Sequence, residues 1–386
     1  MSIRTRLIVY PFVIVLVAGI GAYQVITDFK NKPFPLDLPL SQFDPATAAP
    51  LKETKVWKPK FPVIDIHSHP QQSRLTTDET IKRMNEADVR MVVDLEGSWG
   101  REGERFLKLK EQYDLKYKDR FVVFATLDLS RLGQPDYIQS EIKRLEQVAA
   151  WGAKGVKIFK QFGTNTKDSN GKLIPVDDER LAPVWDKIGE LGFPVLIHTA
   201  NPVSFWHPTD ASNERYDELN MGGAWLESYY EKPGAVSYED LLKQRENLIR
   251  RHPNTNFVAA HMAALGHNLK ELGRLLNTYP NFYIDISDRT YELGRQPYTA
   301  RAFFIKYQDR ILFGTDLYPE ADVYRVYYRF LETRDEYFDY PRHYYKHGRW
   351  KIYGLFLPDE VLQKVYNGNA LRLLGLSPDY FSEMEK

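Results

Sequence analysis

The sequence predicts an α/β protein, a closed (β/α)8 barrel of the TIM type preceded by an N-terminal transmembrane or signal segment. Three observations predict it. Short runs rich in β-branched residues recur eight times, longer amphipathic stretches separate them, and ionisable residues recur at the carboxyl ends of the runs. Strands that alternate with helices pair in parallel through right-handed crossovers, and eight such units are the number that closes a cylinder.

The runs are PVIDIH (62–67), RMVVDLE (90–96), RFVVFATLDL (120–129), GVKIF (155–159), PVLIHT (194–199), NFVAAHM (256–262), NFYIDIS (281–287) and RILFGTDL (310–317). Helical stretches lie between them at 78–86, 137–151, 178–191, 237–251 and 269–278. A doubly wound open sheet is the alternative architecture. The first run, however, is followed by Ser68, His69 and Pro70 rather than by a glycine-rich phosphate loop.

Two connections are unusually long, from Ala200 to the helix near Ser237 and from Tyr318 to Leu357. In a barrel both emerge at the carboxyl rim as lids or substrate walls. The second is crowded with tyrosine, phenylalanine and arginine. Those aromatics either touch substrate, bury themselves in a helical cap or form the contact of a homodimer.

At the N-terminus, Arg4 and Arg6 precede the uncharged run Leu7 to Tyr23. This is the pattern of a signal anchor or signal peptide over residues 1–27, with the basic end retained inside. Spanning a bilayer takes roughly 20 apolar residues, which the run nearly meets at Ile26, so an uncleaved anchor is preferred. Ala18, Gly19, Gly21 and Ala22 offer a cleavage site as the alternative. The expected location is a bacterial-type cell envelope, with the folded domain anchored outside the cytoplasm or secreted after cleavage. Residues 28–61, with Pro33, Pro35, Pro39, Pro45 and Pro50, read as a linker. The barrel is expected over 62–386.

Composition narrows the chemistry. Of 386 residues, 43% are hydrophobic and 27% charged, the balance of a folded globular chain. Lys+Arg and Asp+Glu are equal at 52 each, so no global field draws the protein to nucleic acid. Cysteine is absent, which excludes disulfides and thiolate ligands. Any metal must be held by histidine and carboxylate.

In Val-Ile-Asp-Ile-His-Ser-His (63–69), Asp65, His67 and His69 alternate at the strand period and are expected on one face. At the mouth of a barrel, two imidazoles one pleat apart can grip a single ion. His198, His261 and Asp316 close the fifth, sixth and eighth runs, where polar side chains read as catalytic. Nitrogen and oxygen donors without thiolate suit one divalent ion, zinc first, with iron, manganese or cobalt as alternatives.

Taken in order, DIHSHP, GVKIF, LIHT, AAHM, FGTDL and VYNGNALRLLGL resemble the amidohydrolase superfamily over roughly residues 60–376. The resemblance is to the amidohydrolase-related branch that includes aminocarboxymuconate-semialdehyde decarboxylase. It implies that His67, His69 and His198 ligate the metal and that Asp316 is both ligand and acid/base group. His261 then becomes the second proton-transfer residue, and Asp65 could orient a ligand. In binuclear members of the superfamily a carboxylated lysine on strand four bridges two metals. Lys157 lies in the matching strand, but the branch resembled uses one metal, so a charged lysine paired with an acidic group is preferred. Lys160 could meet an anionic substrate, and Arg289 could bind a carboxylate or pair with Asp288 or Glu292. Asp285 and Glu96 stand at strand ends as rim or structural residues. His252 reads as a helix cap, while His207, His267, His343 and His347 are not expected to be ligands.

The leading function is hydrolysis of an ester, lactone or amide-type bond of a small molecule by metal-activated water. Nonoxidative decarboxylation of a small carboxylic acid is the alternative. A catalytically inactive envelope binding protein is a third reading, from another class.

Overall fold

A computed structural model describes residues 46–97, 104–221, 227–341 and 347–384, together with 23, 24, 39 and 42. The chain divides into two compact units, Met1–Pro50 and Leu51–Lys386. In the first, the described residues include a turn in which Gln42 N donates to Pro39 O at 2.8 Å. No helix among the described residues is long and apolar enough to cross a membrane. The anchor expected over 1–27 lies outside the described residues, apart from Tyr23 and Gln24.

The second unit is the barrel. Its strands are β1 (Val63–Ser68), β2 (Val89–Asp94), β3 (Phe121–Val123, resuming as Ala125–Thr126), β4 (Val156–Ile158), β5 (Val195–Ile197), β6 (Phe257–Ala259), β7 (Phe282–Asp285) and β8 (Ile311–Leu312). Each pairs in parallel with the next. The third predicted run is interrupted at Phe124, whose amide stays on β2 through Asp94 O while the Ala125 amide turns to Gly155 O, just before β4. Closure comes from β1 and the end of β8. Ile66 N donates to Phe313 O at 3.0 Å, and His69 N donates to Leu317 O at 2.8 Å. A closed parallel cylinder leaves no unpaired edge, so its backbone groups are satisfied internally.

Local sequence explains the helices that brace it. In α1 (Thr77–Glu86), Thr76 and Glu79 form a reciprocal capping box. Ser237 caps α5 (Tyr238–Arg251), counting α2 (Glu104–Tyr117), α3 (Tyr137–Ala150) and α4 (Ala182–Glu190) before it, and Arg250 and Arg251 complement its C-terminal dipole. Asn268 caps α6 (Leu269–Thr278). Alternate strand residues such as Ile64, Ile66, Val93, Leu196, Val258 and Leu312 pack into one buried cluster, joined by Leu371 and Leu374 of the closing helical segment. A larger cluster fills the layer between strands and helices.

Among its described residues, part of the aromatic connection after β8 takes the helical-cap form. It folds into a helix, Ala321–Glu332, that buries Tyr324, Tyr327, Tyr328 and Phe330. From the same connection only Tyr318, among the described residues, lines the central cavity. Part of the predicted linker is ordered against the barrel. Thr54 donates its amide and hydroxyl to Asp335 at 2.6 and 2.7 Å, and Lys60 N reaches Glu332 at 3.2 Å.

Candidate metal centre and active site

The residues at the carboxyl ends of β1, β4, β5, β6 and β8 meet at one end of the barrel. His67 Nε2 lies 2.9 Å from Asp316 Oδ1, and His69 Nε2 lies 3.2 Å from the same oxygen. His261 Nε2 is 3.8 Å from Asp316 Oδ2 and 3.3 Å from His198 Nδ1. Among the described residues, one donor atom each from His67, His261 and Asp316 lie within 4.8 Å of one another. His69 and His198 flank that group, one through Asp316 and the other through His261. Gly314, just before Asp316, is required by this approach, since a Cβ there would sit 2.9 Å from His67 Cβ.

Three of the four rings, those of His67, His261 and His69, have a partner behind them. His67 Nδ1 faces Asp285 Oδ2 at 2.8 Å, which puts the proton on Nδ1 and leaves the Nε2 lone pair for a cation. Asp285 also accepts the backbone amides of His261 at 2.8 Å and Ser287 at 3.1 Å. Burial would raise the Asp285 carboxyl, but His67, His261 and Ser287 hold it well below the usual range. His261 Nδ1 lies 2.9 Å from Ser287 O, and a carbonyl only accepts, so that nitrogen carries the proton. His69 Nδ1 lies 3.3 Å from Glu96. Burial alone would lower the His69 imidazole, yet Asp316 and Glu96 outweigh it and raise it to about 9. Burial pushes His261 down to about 4, and it drives His198 well below the ordinary histidine value with help from its cationic neighbours. Burial would also raise Asp316, but His261, His67 and His69 keep it ionised.

Backbone conformation at the site is strained. His261, Met262, Ala263 and Ala264 all have positive φ, between 53° and 59°. Left-handed geometry costs roughly 1–2 kcal/mol per residue outside glycine, and this run contains none. Asp316 (φ 68°) and Asp288 (φ 46°) share that region.

Asp65 is a correction to the predicted common face. The register of β1 against β2 shifts between Asp65 and Ser68, so alternation breaks there. Asp65 turns to Thr315 Oγ1 at 2.6 Å and to Tyr324 OH at 2.8 Å. It also accepts the His67 amide at 3.0 Å, so it braces that ligand candidate through the backbone rather than the ring. Burial lifts its carboxyl to about 6 against those hydrogen bonds.

The cations lie as follows. Lys157 is buried on β4, its Nζ 3.1 Å from His67 Nε2, and burial lowers it to about 8 against the pull of Asp316, Asp285 and Glu96. Lys160, also lowered to about 8 by burial, reaches Asn201 Oδ1 at 3.3 Å. Arg289 is buried beside Asp288, Tyr291 and Glu292, so both predicted acidic neighbours are present, at 3.5 and 3.6 Å. All three line a cavity of about 350 Å³ that also contains His69, His198, His261 and Asp316. Sequence reasoning left Asp285 and Glu96 without a function and did not single out Ser287. Their signal was position: 285 and 287 alternate at the end of β7, and 96 closes the second run.

A family model described as Amidohydrolase matches residues 64–376. The chain belongs to the amidohydrolase family. Among solved structures, this amidohydrolase is similar to 2,6-dihydroxybenzoate decarboxylase in complex with 2,6-dihydroxybenzoate, at 17% identity and a TM-score of 0.51, over 82% of this chain and 99% of that one. It is also similar to IDCase of Metarhizium anisopliae in apo form, at 13% identity and 0.52, over 82% and 97%. A TIM-barrel protein of Bordetella bronchiseptica matches at 16% identity and 0.50, over 82% and 99%. These likenesses show the fold. No curated protein matches the sequence. Membership makes the chain a metal-dependent enzyme of this family.

The residues present fit a divalent cation. Donor atoms around one zinc-sized ion at roughly 2.1 Å stand about 3–3.5 Å apart, close to the distances of His67 Nε2 and of His69 Nε2 from Asp316 Oδ1. His198 Nε2 is buried and has no hydrogen-bond partner among the described residues, a costly state that coordination would relieve.

Proposed function

We propose that this amidohydrolase hydrolyses an ester, lactone or amide-type bond in a small, carboxylate-bearing molecule, with His67, His69, His198 and Asp316 holding one divalent ion, zinc first. One observation carries the reading: Asp316 divides its two oxygens, Oδ1 toward His67 and His69 and Oδ2 toward His261. When bound, the cation supplies Lewis acidity, which lowers the pKa of water toward about 7. Asp316 takes the proton of the attacking water and delivers it to the leaving group. With Nδ1 fixed by Ser287, His261 presents Nε2 to the reacting atoms. Lys160 and Arg289 face an anionic group of the substrate from the same cavity.

Nonoxidative decarboxylation is the second reading, because the same buried cations would hold a carboxylate that is lost. Panels of lactones and of aromatic or enoic acids, incubated with the metal-loaded protein, separate the two by ring opening or carbon dioxide release. The basic end and apolar run of residues 1–27 support anchoring in a cell envelope, and extraction of membranes with alkaline carbonate tests it: an anchored chain stays in the pellet.

A further inference from the structure

Helix α5 reaches the strained turn behind His261 at two points. Tyr238 donates its hydroxyl to Ala264 O at 2.6 Å. Arg245 donates Nη1 to Ala263 O at 2.7 Å. The two residues are seven apart, two helical turns, and so share one face of α5. Both are buried, at 5% and 1% exposure.

Arg245 is expensive where it sits. Its Nε and Nη2 have no hydrogen-bond partner among the described residues. Burial pulls its guanidinium down to about 10. A buried cation without a carboxylate is disfavoured, and an apolar side chain of similar length would fill the space at lower cost. What the apolar side chain lacks is a donor for the carbonyl of residue 263. That carbonyl belongs to four successive left-handed residues, 261–264, none of them glycine.

We propose that Tyr238 and Arg245 are positioning residues that clamp the left-handed turn 261–264 and thereby hold the His261 imidazole with Nδ1 on Ser287 and Nε2 toward Asp316. A turn that L-residues disfavour relaxes unless its neighbours over-determine it. Asp285 fixes the turn at its start through the His261 amide, and α5 fixes it at its end through two carbonyls. Relaxation at either end rotates the backbone that carries the ring. The consequence for turnover rests on the proton-transfer role proposed for His261.

The test uses the full chain with Tyr238→Phe, which removes one oxygen, and Arg245→Met. Histidine ring nitrogen spectra, with the His261 signals identified by their loss in His261→Gln, report the tautomer directly. In the parent protein His261 is expected as the Nδ1–H form. Both variants should shift it toward a tautomer mixture and lower kcat for 4-nitrophenyl acetate roughly 10–100-fold, with KM and bound metal little changed. Ala264→Gly, which adopts the left-handed region freely, should restore much of the loss in the Tyr238→Phe background. Unchanged His261 ring signals in both folded variants, or no rescue by glycine, overturn the clamp. If His261→Gln keeps the parent rate, the proton-transfer role fails, while the ring spectra still decide the clamp.

Discussion

Replacing Asp285 by asparagine tests the orientation of His67 most directly. The carboxylate is fully buried and receives four donors: His67 Nδ1, the amides of His261 and Ser287, and the Ser287 hydroxyl. Asparagine keeps the shape but offers one acceptor oxygen and turns an NH2 group toward the remaining donors. At least one buried donor then faces another donor, at a cost of about 1–3 kcal/mol. Loss of the charge also makes His67 a poorer ligand, since carboxylates behind metal-binding histidines are worth about 10–100-fold in affinity. The expected result is a zinc affinity weakened by that factor, about 1.4–2.7 kcal/mol. Competition with a chromophoric chelator on the full chain measures it. An affinity within twofold of the parent, in a protein where His67→Ala abolishes binding, would refute the reasoning.

Other outcomes follow from the same geometry. Gly314→Ala forces a methyl to within 2.9 Å of His67 Cβ, so metal content by elemental analysis should fall although the substitution adds only one carbon. Tyr324→Phe leaves buried Asp65 one hydrogen bond short and should cost about 1–3 kcal/mol in denaturant unfolding, with metal binding retained. His347 lies between Asp288 at 3.0 Å and Glu218 at 3.4 Å. Burial would lower it, but those carboxylates raise it above its ordinary value. A raised histidine contributes stability fully below the unfolded value near 6.5 and loses it as pH rises through the folded value. Melting temperature should therefore decline above neutral pH in the parent, and His347→Gln should flatten that decline. An equal slope in both would remove His347 as the cause.

The repeated pattern of apolar runs, and histidine or aspartate at their ends, was enough to infer the barrel and to nominate His67, His69, His198, His261 and Asp316. Such reasoning works because strand periodicity and strand ends are local properties, and parallel strands put all their carboxyl ends on one rim. Tertiary structure decided the rest. A register shift inside β1 sent Asp65 to Thr315 and Tyr324, and no periodic argument can see a break in its own period. Asp285, Ser287 and Glu96 became partners of the histidines only when the cylinder closed, because the 218 residues separating His67 from Asp285 carry no sequence signal of contact. Several aromatics after β8 are buried in the helix Ala321–Glu332, whereas Tyr318 lines the cavity. The left-handed turn at 261–264 is written in no glycine and is held by α5 and β7 from outside. Local chemistry can be read from the order of residues, whereas the partners that orient it depend on which distant backbones are brought within hydrogen-bond reach.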